Sequence, residues 1–106
     1  HVRDFTYIED VTDILLKLRN KKIVKNDIYN ICSNNPVGLI KIINYFQQIS
    51  PKIKVKKRGF QKSDVYKTHG CNKKLVTITK RKKFTNVFLA LKKTHDWFFK
   101  YRNLYR

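Results

Sequence analysis

Three apolar stripes at helical spacing constrain this chain more than anything else in it. Val11, Ile14, Leu15 and Leu18 fall at i, i+3, i+4 and i+7, and Leu39, Ile42, Ile43, Phe46 and Ile49 repeat the pattern. Val87, Leu91, Thr94, Phe98 and Tyr101 mark a third stripe, widened by Phe88, Ala90 and Trp97. Each predicts an amphipathic helix with one face turned to a core. The first should run from about Asp10 to Asn20, because Glu9 and Asp10 complement the positive end of the helix dipole. Arg19, Lys21 and Lys22 suit its other end. For the second, Asn35 is the expected N-cap and Pro36 the first helical residue. It should stop before Pro51, which bars Ser50 from the helical region. The third should span about Thr85 to Tyr101, and a short helix capped by Asn72 should cover residues 72 to 78.

Between the stripes the period changes from 3.6 to 2. Ile28-Tyr29-Asn30-Ile31-Cys32 reads as a buried strand, and Lys52-Ile53-Lys54-Val55-Lys56 alternates as a half-buried strand with its lysines in water. Phe5-Thr6-Tyr7-Ile8 suits a short extended segment, and Lys21 to Asp27 is a polar connection. The expected fold is therefore α/β: three main helices and a short one, with two or three short strands. A chain of 106 residues has room for one domain and a modest core.

Charge narrows the function classes. The net charge of +18, from 25 Lys and Arg against 7 Asp and Glu, favours non-specific adhesion to polyanions. A/T-rich codon usage would raise Lys, Asn, Ile, Phe and Tyr together and is the duller source of that charge. No apolar run approaches membrane-spanning length, and no secretory h-region is visible, so no membrane role and a cytoplasmic site are expected. Cys32 and Cys71 form no CxxC pair, which fits a reducing compartment, although a single bridge between them stays open. A start at His1 and the lack of any methionine suit a fragment.

Specific motifs lie at the head of the chain. Arg3-Asp4-Phe5-Thr6-Tyr7-Ile8-Glu9-Asp10-Val11 resembles the R-D-F-T-Y-I-D-D-I/V run of extended short-chain dehydrogenase/reductase proteins, and within them the NAD-dependent nucleotide-sugar epimerases. The resemblance is nearest to the UDP-glucuronate 4-epimerase type of capsular polysaccharide and lipopolysaccharide synthesis. Ile28–Cys32 resembles the family's Y-N-I-G strand, with Cys32 in place of glycine, and Asn35-Pro36-Val37 follows as in N-x-x-P-V/I. Gly59-Phe60-Gln61-Lys62-Ser63-Asp64-Val65 resembles the substrate loop P-M-Q-P-G-D-V. The resemblance implies that Arg3 grips the diphosphate of a UDP-sugar, with Gln61 and Asp64 on neutral hydroxyl or base groups. By itself, an arginine in this position more often pairs with a nearby acid.

The departures are as telling. Thr68-His69-Gly70-Cys71 stands where the family has T-x-A-D, so the acid is gone, and Thr79-Lys80-Arg81-Lys82-Lys83 replaces a Gly-aromatic-x-Pro turn. His95-Asp96-Trp97-Phe98 echoes only the aromatic ending of the family's last helix. The chain has no G-x-x-G-x-x-G loop for an NAD pyrophosphate and no tyrosine with a lysine four residues on. The expectation is a single truncated domain over residues 1–106, the substrate-binding portion of an epimerase with the Rossmann core absent. It would be inactive alone, bind no NAD alone, have no catalytic residues of its own, and await a cofactor-domain polypeptide. A split or decaying gene would leave such a chain.

Other constellations are weaker. His69 and Cys71 with Cys32, His95 and His1 lack the clustered spacing of a zinc site, so no metal is expected. His95 and Asp96 are adjacent on a helix and should point apart. Lys52 to Arg58 and Lys80 to Lys83 are basic runs near Phe60 and Phe84, the basis of a rival reading as a nucleic-acid-binding or interaction module.

Overall fold

The structure is a computed structural model that describes residues 1–22, 26–59 and 61–105. In chain order its elements are β1 (Val2–Arg3), α1 (Ile8–Arg19), β2 (Val37–Gly38), α2 (Leu39–Ile49), α3 (Lys73–Thr79) and α4 (Val87–Tyr101), closed by a 3-10 turn over Arg102–Tyr105. Among the described residues this is a small mixed α/β arrangement of four helices and a two-stranded sheet, with no Rossmann core. β1 and β2 pair antiparallel, with Val2 opposite Gly38 and Arg3 opposite Val37.

The helices follow their stripes. Glu9 and Asp10 lie in the first turn of α1, and Lys17 and Arg19 in its last. α2 ends at Ile49, one residue before Ser50 leaves the helical region ahead of Pro51. Asn86 caps α4, its side-chain oxygen accepting a hydrogen bond from the Phe88 N–H at 3.0 Å. Asn72 flanks α3 but makes no capping bond; its side-chain NH2 donates instead to the Cys32 carbonyl at 2.8 Å. At the other end of α3, Lys80 takes the left-handed conformation (φ 57°), a position glycine usually fills.

Three sequence expectations need correction. Residues 28–32 form no strand, and Ile28 is 82% exposed, because the segment has no ladder partner; side chains hold it instead. α2 begins at Leu39 and not at Pro36, because Val37 and Gly38 are drawn into the sheet by β1, and the Leu39 N–H donates to the His1 carbonyl at 2.8 Å. Lys52–Lys56 is also no strand; Ile53 and Val55 face one way as alternation demands, yet they meet α2 side chains and not a neighbouring strand. The middle of the Lys21–Asp27 connection, and Phe60, lie outside the described residues.

The core is thin. Ile14 and Leu75 are fully buried where α1 meets α3, and Ile42, Val87 and Ala90 are buried where α2 meets α4. Tyr45 on α2 packs against Phe88 on α4 with ring centres 5.2 Å apart. Of the first stripe, Ile14 is buried, Val11 and Leu18 are half-buried and Leu15 is 53% exposed, so that face is only partly covered. Ile8, Leu16, Trp97, Phe98 and Leu104 are also exposed. The Cα radius of gyration is 16.7 Å, whereas a compact chain of this length takes about 13 Å. The helices thus splay around several small contacts and do not close on one core.

A buried carboxylate supplies much of the cohesion. Asp10, 3% exposed, accepts from Arg81 Nη2 at 2.5 Å and from the N–H and hydroxyl of Thr85 at 2.8 and 2.9 Å. Arg81 also contacts Asp13, which is half exposed. This ties α1 to the connection between α3 and α4.

Candidate functional site

β1 gathers the three stretches that carry the motifs. On one edge it pairs with β2. On the other, the Val2 N–H donates to the Tyr66 carbonyl at 3.0 Å and the Thr68 N–H donates to the Val2 carbonyl at 3.1 Å. Residues 66–68 therefore lie beside β1 although more than 60 positions separate them in sequence.

Arg3 and Asp64 meet at this junction. Arg3 Nη2 donates to Asp64 Oδ1 at 2.6 Å, while Nη1 donates to the carbonyls of Val2 (2.9 Å) and Tyr66 (3.2 Å). The Arg3 side chain is 24% exposed and that of Asp64 45%, so the pair is held in place yet open to solvent. His1 Nε2 stands 3.5 Å from Asp64 Oδ2, and the His1 ring leans on Tyr66. Gln61 belongs to the same loop: its carbonyl accepts from the Asp64 N–H at 2.9 Å, and its side chain is exposed. The fold thus joins Arg3 and Asp64 directly and reaches Gln61 through the turn that carries Asp64.

Next to this pair lies a hub that the sequence reading did not single out. Asp4 Oδ1 accepts from the Ser33 hydroxyl at 2.5 Å and the Asn35 N–H at 3.3 Å, and Oδ2 accepts from the Gly70 N–H at 3.0 Å. The Asp4 N–H donates to the Thr68 hydroxyl at 3.2 Å, and the Ser33 N–H donates to the Thr6 hydroxyl at 3.2 Å. His69 Nε2 and Asn34 Oδ1 are 2.7 Å apart, and the Asn30 side chain donates to the Cys71 carbonyl at 3.3 Å. One carboxylate therefore organises residues 33–35 and 68–70 around β1. The only hint in sequence is the run of small polar residues in Ser33-Asn34-Asn35 and Thr68-His69-Gly70.

Two groups at the hub are shifted from their ordinary values. Burial works to raise the Asp4 pKa, but hydrogen bonds from Ser33, Gly70, Asn35 and Asn34 outweigh it and hold the carboxyl below its usual range. Burial first, then the charge of Asp4, pushes the Cys32 thiol up, so it stays protonated and is a poor nucleophile. Cys32 and Cys71 are both free thiols. Gly70 is required where it stands: a Cβ there would lie 2.4 Å from Cys32 Sγ and 2.7 Å from its Cβ.

His95 corrects another expectation. Its Nδ1 lies 3.1 Å from Asp96 Oδ1, so the two do not point apart, while the ring rests on Phe99 with centres 4.5 Å apart. Asp96 is also paired with Lys92 on the exposed side of α4, whereas the His95 side chain is largely buried. Among the described residues no three His, Cys, Asp or Glu side chains stand together as metal ligands, and no helix is long and apolar enough to cross a membrane. A cleft of about 350 Å³ borders the hub, lined by Ser33 and Asn35 with Phe5, Phe84 and Asn86, and two others lie beside Tyr7. One of about 290 Å³ is lined by Phe5, Tyr7, Val87 and Leu91, and another of about 610 Å³ by Tyr7, Ile8, Lys93 and Trp97.

Over 97 residues, 91% of its length, the chain is 32% identical to the uncharacterized protein MJ1055 of Methanocaldococcus jannaschii. The matched stretch is 29% of that relative, so the chain spans less than a third of it. No family model and no solved structure matches the chain.

Proposed function

We propose that these residues form the nucleotide-sugar-gripping portion of an NAD-dependent UDP-sugar 4-epimerase-like protein of the UDP-glucuronate type. The observation that carries this reading is the Arg3–Asp64 pair, fixed on β1 beside the loop that bears Gln61. A guanidinium whose plane is set by a carboxylate and two carbonyls is ordered before any ligand arrives, which lowers the entropy lost on binding. Its remaining N–H groups suit a diphosphate, and the free lone pairs of Asp64 suit hydroxyl groups. In such a protein the nicotinamide cofactor removes hydride from the sugar and returns it to the other face. The residues here do not fit that cofactor: the chain has neither a glycine loop for its pyrophosphate nor a Tyr-x-x-x-Lys pair. No chemical step is therefore assigned to this chain, and its part is to hold the substrate.

The test is a titration of the chain with UDP and with UDP-glucuronate, followed by amide chemical shifts. Saturable shifts at Arg3, Gln61 and Asp64 are expected. Arg3→Lys should weaken UDP binding by about ten- to a hundredfold despite keeping its charge, since charge-assisted bonds are worth roughly 1.5–3 kcal/mol. Gln61→Ala should cost about 1 kcal/mol, or some fivefold. If Arg3→Lys binds like the parent while Gln61→Ala does not, Arg3 serves only to pair with Asp64 and the reading fails.

A further inference from the structure

The +18 charge is unevenly placed. All seven carboxylate side chains are already engaged. Asp4 is held by Ser33 and Gly70, Glu9 by Lys93, Asp10 and Asp13 by Arg81, Asp27 by Lys74, Asp64 by Arg3 and Asp96 by Lys92. None of them reaches Lys52, Lys54, Lys56, Lys57 or Arg58. Those five side chains are exposed and enter no ion pair among the described residues. Among the described residues they form the largest group of unpaired cations within one short segment.

The segment is also fastened. The Ile53 N–H donates to the Ser50 carbonyl at 3.0 Å, closing a turn at the end of α2. Ile53 and Val55 then line an all-apolar cleft of about 270 Å³ with Ile43 and Phe46 of α2. Lys52, Lys54, Lys56, Lys57 and Arg58 stay exposed along the same segment. A nucleic-acid strand presents a phosphate every 3.4 Å or so along its axis, so each cation can meet a different phosphate.

We infer that residues 52–58 are a ridge that binds the phosphate backbone of nucleic acid without reading its sequence. A phosphate polymer is favoured over an acidic protein because its dense, regular charge releases condensed counterions when cations replace them; a sulfated polysaccharide shares that property, and the heparin comparison below separates the two. The inference is independent of the nucleotide-sugar reading, since the ridge shares no residue with Arg3, Gln61 or Asp64.

The experiment compares three variants with the parent by fluorescence anisotropy on a 20-nucleotide oligothymidylate and a 20-base-pair mixed duplex at several salt concentrations. In the first variant the five ridge cations become Gln. In the second Arg19, Lys21, Lys22, Lys41 and Lys73 become Gln, which removes the same charge elsewhere. The third, Ile53→Ser with Val55→Ser, keeps every charge but releases the ridge from α2. The ridge variant should lose roughly a hundredfold in affinity, and its salt slope on the single strand should fall by about 3.5. The second variant should lose tenfold or less, and the third about tenfold. Equal losses in the first two variants would mean that only total charge matters, and the inference would be wrong. Tighter binding of heparin than of either oligonucleotide at matched salt would overturn it as well.

Discussion

Removing the Asp10 carboxylate is the sharpest test of how this fold coheres. Asp10→Ala deletes three contacts at once: Arg81 Nη2 at 2.5 Å, the Thr85 N–H at 2.8 Å and the Thr85 hydroxyl at 2.9 Å. Asp10 is 3% exposed, so water does not replace them without local opening. Breaking a buried ion pair from one side costs about 3–5 kcal/mol. Arg81 retains Asp13 as a partner, which places the expected loss at the lower end, about 3 kcal/mol. For a domain whose whole stability is of order 5–15 kcal/mol, that is a large share. Asp13→Ala is the internal control. Its carboxylate is 48% exposed, and a pair of that kind contributes about 0–1 kcal/mol. The assay is urea unfolding followed by far-ultraviolet circular dichroism, comparing midpoints at constant m. A loss under about 1 kcal/mol for Asp10→Ala, or equal losses for the two variants, would refute the claim that this buried network joins α1 to the α3–α4 connection.

Two further outcomes follow from the hub at β1. Because Asp4 is held below the ordinary carboxylate value of about 3.9, its contribution is fully present above that pH and is lost as pH falls through its lower folded-state value. Asp4→Asn should therefore flatten the fall in urea midpoint as pH drops below about 4; an unchanged slope counts against the hub. Gly70→Ala should cost about 1–3 kcal/mol in unfolding free energy through its collision with Cys32, whereas Gly38→Ala, with open space around its Cβ position, should stay within about 0.5 kcal/mol.

What the sequence by itself determined are the helices. Apolar side chains at 3.6-residue spacing can be buried together only on a helix, and the stripes at Val11–Leu18, Leu39–Ile49 and Val87–Tyr101 each became one. Pro51 stopped α2 because its ring excludes the helical conformation at Ser50, whatever the surroundings. Strands were not determined this way. Ile28–Cys32 has the apolar content of a strand and Lys52–Lys56 the alternation, but a strand exists only when another backbone supplies its hydrogen bonds, and that partner is chosen in three dimensions. The chain spent its pairing on Val2–Arg3 and Val37–Gly38, which drew two residues from the expected start of α2. The candidate site divides along the same line. Arg3, Gln61 and Asp64 could be named from motif resemblance, but no spacing rule reports that Arg3 and Asp64, 61 positions apart, bind each other. Asp4 was invisible for that reason too: its partners lie 29 to 66 residues away, and a carboxylate becomes a hub only when tertiary structure delivers their donors to it.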